Sequence, residues 1–322
     1  MGQSIYGALA QEAFDSPLEV AFANSDPLGA GQYFSDERLP IFDRPIFPLA
    51  ADASYGKTLA DYVKKNKIDF VFAGTQHELQ KITEYGAVEG NTATLTPRLV
   101  DLCLDKAALA DALQSRGVPV AVTWSASDFP SHGVEESIPY VVKPSFSSAS
   151  RGIIYCANAR EVREALATAT DLSQLVVQRA LTGPEFTTGS YVDRFTGELT
   201  TITFKRTLSP DGASVFGEIV VDDQISSYMA DIRDALVHVG FDYGHMNVQF
   251  MLTSEGPRLF EINGRLSSTE APKAHFGFNS CAAYIHNKVL NEPYRGFTPV
   301  ESGKFLRYYA EVYFDEGRSS TR

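Results

Sequence analysis

Cysteine, basic residues and long apolar runs are all scarce in this chain, and each scarcity removes a class of protein. The cysteines, Cys103, Cys156 and Cys281, are odd in number, far apart and set among apolar residues. They match neither a zinc-ligand spacing nor a disulfide framework and read as buried, reduced thiols of a cytoplasmic protein. Lys and Arg number 28 against 40 Asp and Glu, for a formal charge of −12 and a pI near 5.0. Such a chain offers no basic stripe to displace counterions, so neither nucleic acid nor an anionic membrane is expected as a partner. No apolar run is long enough to span a bilayer. The start, Met1-Gly2-Gln3-Ser4-Ile5-Tyr6, lacks the basic-then-apolar pattern of a signal peptide and has Tyr6 where a myristoylation motif needs Ser or Thr. No internal repeat or low-complexity tract is visible. Small molecules remain as the expected partners of a soluble protein.

What is present is enough apolar material, 44% of 322 residues, for two or three packed units. Up to about residue 97, short apolar strands (Glu19–Ala23, Asp69–Ala73) alternate with helical stretches such as Tyr55–Lys65, the pattern of a parallel α/β layer. A helix over Lys106–Leu113 has Asp105 as its N-cap and stops at Gly117-Val118-Pro119. Strands follow at Tyr140–Lys143, Gly152–Cys156 and Gln174–Gln178, with a helix over Ala159–Thr168. Later come strands at Thr188–Val192, Leu199–Lys205 and Val215–Val220, a helix over Ile225–Val239, and a last helix over the segment Gly277-Phe278-Asn279 to Leu290.

The most informative segment is a hairpin. Asn247-Val248-Gln249 and Phe260-Glu261-Ile262-Asn263-Gly264-Arg265 flank the turn cluster Thr253–Pro257. Period-two alternation puts Val248, Phe250, Leu252, Phe260 and Ile262 on one face, and Asn247, Gln249, Glu261 and Asn263 on the other. Symmetry about Glu255 sets Gln249 opposite Glu261 and Asn247 opposite Asn263. Alternating polar residues ordinarily mark a solvated sheet face. One carboxylate among amide oxygens also suits magnesium, a hard ion that takes few protein carboxylates.

In order along the chain, Asp105-Lys106, Gly117-Val118-Pro119, Val141-Val142-Lys143-Pro144, the loop 145–152, Val176-Val177-Gln178, Leu181–Glu185, Asn247-Val248-Gln249, Phe260–Asn263, Arg265 and Gly277-Phe278-Asn279 resemble the ATP-grasp superfamily. Within it they resemble the branch similar to the carbamoyl phosphate synthetase large subunit. The resemblance implies an α/β fold, α+β in parts. It has an N-terminal Rossmann-like pre-ATP-grasp domain (1–97), a small lid subdomain with the phosphate loop (98–180) and a large subdomain with the metal site (181–322). It also implies ATP and Mg2+, with Mn2+ as an alternative.

Residue by residue, Lys106 and Lys143 then contact phosphates and adenine. The small residues Ser145, Ser147 and Ser148, with Arg151 and Gly152, close over the β- and γ-phosphates, although Phe146 and Ala149 stand where many relatives carry Gly. Gln178, Arg179, Ala180 and Leu181 form the adenine hinge, and Glu185 accepts from the ribose. Gln249, Glu261 and Asn263 hold the metal. Arg265 and Arg206 are the catalytic candidates that contact the transferring phosphoryl group or the acceptor; Arg206 also reads as an exposed strand arginine. His77, Glu78, His245, Ser268, Glu270 and Lys273 are candidates for substrate contact, although lone histidines are ordinarily satisfied structural groups. Two departures stand out. Gly264 and Ser267–Glu270 replace the usual Pro and Ser-Gly-Thr-like turn, and the innermost strand expected before the helix matched by Gly2–Leu9 is missing from the pattern.

The reaction so implied is ATP-dependent ligation of a carboxylate to an amine through an acyl phosphate, on amino-acid-like substrates, with release of ADP and phosphate. An ATP-binding regulator without turnover and a carboxylate or bicarbonate phosphotransferase stand as alternatives. A homodimer through the N-terminal layer is the candidate assembly.

Overall fold

The computed structural model describes residues 2–85, 91–130, 134–145, 152–210, 212–308, 311 and 313. Helix α1 (Gly2–Leu9) buries Ile5, Tyr6 and Leu9. Strands β1 (Val20–Ala21) and β2 (Ile41–Asp43) form a short parallel pair, followed by α2 (Tyr55–Asn66) and α3 (Gln76–Tyr85). The strand expected over Glu19–Ala23 thus narrows to two residues, and the one expected over Asp69–Ala73 is a single bridge from Val71 to Thr92. A ladder needs hydrogen-bonding neighbours, and among the described residues these two parallel pairings share none. Aromatic packing consolidates the layer: Tyr6 lies against Phe22 and Phe34, and Phe70 against Phe72 and Tyr284.

Helices α4 (Pro97–Leu104) and α5 (Lys106–Gln114) meet at Asp105, which ends one and caps the other by accepting from the Ala107 and Ala108 N–H groups. Beyond them, β3 (Thr123–Ser125), β4 (Tyr140–Pro144), β5 (Ile154–Cys156) and β6 (Leu175–Arg179) build an antiparallel sheet in the order β3-β6-β4-β5. Helix α6 (Ala159–Ala167) is capped by Asn158. It closes a small core of Tyr140, Val142, Cys156, Val162 and Val177.

The largest sheet is made by β7 (Glu185–Val192), β8 (Leu199–Leu208), β9 (Ser214–Ile219), β10 (Gly244–Thr253), β11 (Gly256–Asn263) and β12 (Lys304–Leu306), ordered β11-β10-β7-β8-β9-β12. On one face Val248, Phe250, Leu259 and Ile262 pack with Tyr228, Met229 and Ile232 of α7 (Asp223–Val237). On the other, Tyr191, Ile202 and Phe204 lie in one core with Phe278, Cys281 and Tyr284. Helices α8 (Glu270–His275) and α9 (Ser280–Tyr284) cover that end, and Ile285–Leu290 continues α9 as a π-helix. The expected last helix therefore begins at Ser280 and widens at Ile285. The β10 and β11 end of this second face stays polar. No helix among the described residues is long and apolar enough to cross a membrane.

The hairpin register has an unexpected origin. Gln249 does pair with Glu261 and Asn247 with Asn263, but the turn closes as Thr253 opposite Gly256, one position away from symmetry about Glu255. A bulge beyond Gln249, where Phe250 pairs with Leu259, restores the register. It also corrects the expected apolar face: Leu259 takes the core position, and the Phe260 ring lies 5.5 Å from the Lys143 Nζ instead.

The π-helix sets one buried amide. Asn287 Oδ1 accepts from Tyr191 Oη at 3.1 Å and Arg194 N at 2.9 Å, while its Nδ2 donates to Asp193 Oδ2 at 2.8 Å and Glu292 O at 3.0 Å. Asn287→Ala removes all four hydrogen bonds, although Asp193 Oδ2 keeps the Tyr294 N–H at 2.9 Å, and its urea unfolding midpoint is expected to fall by the equivalent of about 2–4 kcal/mol.

Candidate active site

Two buried lysines converge where the sheets meet. Lys106 follows its capping aspartate at the start of α5, and its Nζ donates to the Ser145 carbonyl at 2.6 Å. Lys143, near the end of β4, donates to Gln178 Oε1 at 2.8 Å; Gln178 Nε2 in turn donates to Thr123 Oγ1 at 2.8 Å. Both lysines are over nine-tenths buried, yet among the described residues their hydrogen bonds go only to neutral oxygens. Burial, with Lys106 adding to it, pushes the Lys143 pKa down to about 8 against the opposing pull of Glu261 and Glu185.

Of the expected hinge, the Arg179 N–H is bonded to Val122 O and the Ala180 N–H to Pro139 O, and the Arg179 side chain turns outward to Glu135 at 3.1 Å. Leu181 is half-buried between this strand and Glu185. Of the expected phosphate loop, Ser147, Ser148 and Arg151 lie outside the described residues. Ser145 is tied by its N–H to Gln174 O, and Gly152 has a φ of +73°, a left-handed conformation suited to glycine.

Across from the lysines, Glu261 and Asn263 line a cavity of ≈ 20 Å³ with Lys106, Ser145, Gln76 and Cys103. That is room for a water or an ion. Burial and the neighbouring Glu261 charge push the Cys103 thiol up to about 12, which keeps it protonated. Gln249 shares the face, and its Oε1 accepts from Arg206 Nη2 at 2.9 Å. Arg206, on β8, is not an exposed strand arginine. Its side chain is 9% exposed and forks onto Glu185 through Nε at 3.0 Å and through Nη2. A larger cavity of ≈ 240 Å³ lies elsewhere, beside Thr201, Thr203, Asp222 and Glu301, and its lining carries acidic groups and no lysine or arginine.

The expected substrate contacts divide. His245, Glu270 and Lys273 are buried together. Glu270 Oε1 accepts from Lys273 Nζ at 3.0 Å, Ser267 N at 2.9 Å and Ser267 Oγ at 2.8 Å, and its Oε2 accepts from Ser280 Oγ at 2.6 Å. Burial alone would raise this carboxyl, but Lys273, His245 and those donors hold it down at about 2. Burial drives His245 down to about 3 despite Glu270 at 3.6 Å, so the imidazole is neutral at ordinary pH. Arg265 is buried next to this group; burial lowers its pKa while Glu261 and Glu270 oppose that. Ser268 is half-buried and its carbonyl accepts from Arg307. His77 is exposed on α3, and the half-buried Glu78 sits beside Tyr55, whose pKa it helps raise.

Two features escaped the sequence. Gln76 lines the cavity from the first turn of α3, signalled only by its place after Gly74-Thr75. Asn247, grouped by periodicity with the oxygen ligands, has its Oδ1 turned to Lys273 and Thr187.

No protein-family profile matches the chain. It is 26% identical over 196 residues to an uncharacterized protein of Sinorhizobium fredii, covering 55% of this chain and 39% of that one. It is 25% identical over 246 residues to phosphoribosylamine–glycine ligase of Streptococcus pyogenes, covering 66% and 57%. The chain thus spans between two fifths and three fifths of the length of these relatives. Among solved structures, it resembles the L-amino acid ligase of Bacillus licheniformis with a TM-score of 0.63, 16% identity, and coverage of 84% and 70%. The biotin carboxylase domain of Hydrogenobacter thermophilus 2-oxoglutarate carboxylase, solved with MgADP, ADP and bicarbonate, matches with a TM-score of 0.69, 13% identity, and coverage of 91% and 68%. The chain has the ATP-grasp fold of these ligases and carboxylases.

The buried histidine makes stability depend on pH. Unfolded, His245 takes up a proton near pH 6.5; folded, it resists until about 3. The unfolded state therefore binds more protons as pH falls below about 6.5, and stability drops. Unfolding midpoints measured from pH 7 to 5 are expected to decline in the wild type and to flatten in His245→Gln.

Proposed function

We propose that this chain is an ATP-dependent ligase that joins a carboxylate to an amine through an acyl phosphate, releasing ADP and phosphate. The observation that carries this reading is the pair of buried lysines, Lys106 and Lys143, hydrogen-bonded among the described residues only to neutral oxygens, with Lys106 lining an ion-sized cavity opposite Glu261 and Asn263. Buried cations ordinarily pair with an anion. Here a polyphosphate is the fitting one.

The oxygen set of Glu261, Asn263 and Gln249 fits a divalent ion: one carboxylate and two amides, all hard donors, suit Mg2+ or Mn2+. Gln249 Oε1 has a second lone pair beyond the one used by Arg206. When bound, the ion would supply positive charge against the transferring phosphoryl oxygens. Lys143 and Lys106 would hold the phosphates, Gln178 to Leu181 the adenine, and Glu185 the ribose once Arg206 yields to it. Arg265 and Arg206 would stabilise the charge that spreads over the phosphoryl group as it passes to the acceptor carboxylate. The amine then attacks the acyl carbonyl and expels phosphate. Amino-acid-like substrates are favoured by the names of two relatives, an L-amino acid ligase and phosphoribosylamine–glycine ligase.

The test is magnesium-dependent ADP and phosphate release over amino acids offered singly and in pairs, with mass spectrometry of the products. A ligase releases both only with two partners and yields their sum less water. ADP formation with a lone acid indicates a phosphotransferase, and binding without release in any combination indicates a regulator. Glu261→Ala is expected to abolish turnover and weaken magnesium-ATP binding; an unchanged rate of ADP release would remove Glu261 from the metal site.

Lys143 predicts a proton linkage. A bound phosphate favours the ammonium form and raises a pKa that is about 8 in the free protein. Binding above pH 8 therefore takes up a proton, and affinity falls as pH rises through that window. Calorimetric titration of magnesium-ATP at pH 8.5, in buffers of different ionisation enthalpy, is expected to show this uptake. Gln178→Glu places a carboxylate on Lys143 and should shrink it.

A further inference from the structure

We propose that Lys273 is a positioning residue that locks the Asn247 side-chain amide with its NH2 group in the cleft, as a donor to the oxyanion formed at the site of phosphoryl transfer. This rests on the ATP-dependent reading above.

Asn247 pairs with Asn263 on one side and with Gly189 on the other, so it shares the polar face with Gln249, Glu261 and Asn263. Its Oδ1 accepts from Lys273 Nζ at 3.1 Å and from Thr187 Oγ1 at 3.2 Å. An ammonium group can only donate, so it fixes which end of the amide faces it. Both lone pairs of Oδ1 are then engaged on the side of Lys273 and Thr187. The oxygen is withdrawn from any metal; the Nδ2 group has no hydrogen-bond partner among the described residues, and Asn247, 1% exposed, lies directly opposite Asn263, which lines the cavity.

Lys273 itself is held from several directions. It is 0% exposed and also donates to Ser267 Oγ at 3.1 Å and Glu270 Oε1 at 3.0 Å. Its chain crosses β7 at Gly189, where an added Cβ would lie 2.8 Å from both Cε and Nζ. Glycine at that point lets the ammonium reach Asn247. A donor fixed before the reaction stabilises developing negative charge without reorganising, which is the form of contact that favours a transition state over a ground state.

The test compares binding of Mg-ADP alone with binding of Mg-ADP plus aluminium fluoride, a mimic of the transferring phosphoryl group, to the full chain. In the wild type the fluoride complex is expected to bind more tightly than Mg-ADP. Lys273→Met should leave the Mg-ADP affinity within about twofold and reduce the extra tightening on the order of tenfold or more. Asn247→Asp keeps an oxygen for Lys273 and Thr187 but replaces the NH2 donor. It should fold even if Lys273→Met does not, and should lose the tightening as well. Retained tightening in Asn247→Asp, an equal loss of Mg-ADP affinity in Lys273→Met, or no tightening in the wild type overturns the proposal. A wild type that binds no Mg-ADP overturns the nucleotide reading itself, and this inference with it.

Discussion

The bulge in β11 is the constraint on which the site depends. Without it, a hairpin closed between Thr253 and Gly256 would place Asn263 and Glu261 one step out of register with Asn247 and Gln249. A one-residue slip in a strand exchanges its faces, so the oxygen ligands would point into the apolar core. The extra residue also brings Phe260 to the Lys143 ammonium. One local irregularity therefore aligns the acidic strand with its partner and sets it against the sheet that carries the lysine.

Charge is distributed around this hairpin by a simple rule. At the core end, positive and negative groups cancel: Lys273 and Glu270 neutralise each other in full burial and neutral His245 adds nothing. At the cleft, the cations Lys106 and Lys143 are, among the described residues, hydrogen-bonded only to neutral oxygens. Arg206 stands between these regimes, shared by Glu185 and Gln249. An anion entering the cleft meets positive charge that the protein has not already spent on its own carboxylates, and low polarity strengthens that attraction.

Much of this was legible in the residue pattern. The cap at Asp105, the strands around Lys143 and Gln178 and the long helix over 223–237 follow from local chemistry: a side chain that accepts from N–H groups, and apolar periodicity bounded by turn residues. The N-terminal strands were over-read because Phe70, Val71 and Phe72 have strand propensity, yet a strand exists only where a neighbouring backbone completes its hydrogen bonds. Alternation cannot register an inserted residue, so it puts Phe260 on the face that Leu259 occupies. Glu270 and Lys273, candidates for substrate contact by their place beyond the metal strand, are instead buried, Glu270 against Ser280 and Lys273 against Gly189.

The sequence by itself determined the kinds of groups available and their order: an acidic, cysteine-poor chain with lysines at 106 and 143, one hairpin of oxygen ligands and a series of landmarks that resemble those of ATP-grasp proteins. These follow from composition and short-range periodicity. Only the tertiary structure decided the partnerships: that Arg206 engages Glu185 and Gln249, that Lys273 turns the Asn247 amide, that Gln76 from the first layer lines the same cavity as Glu261, and that His245 is held neutral. Each depends on residues tens to hundreds of positions apart meeting in a medium of low polarity, where burial and a single hydrogen bond outweigh what either residue prefers on its own.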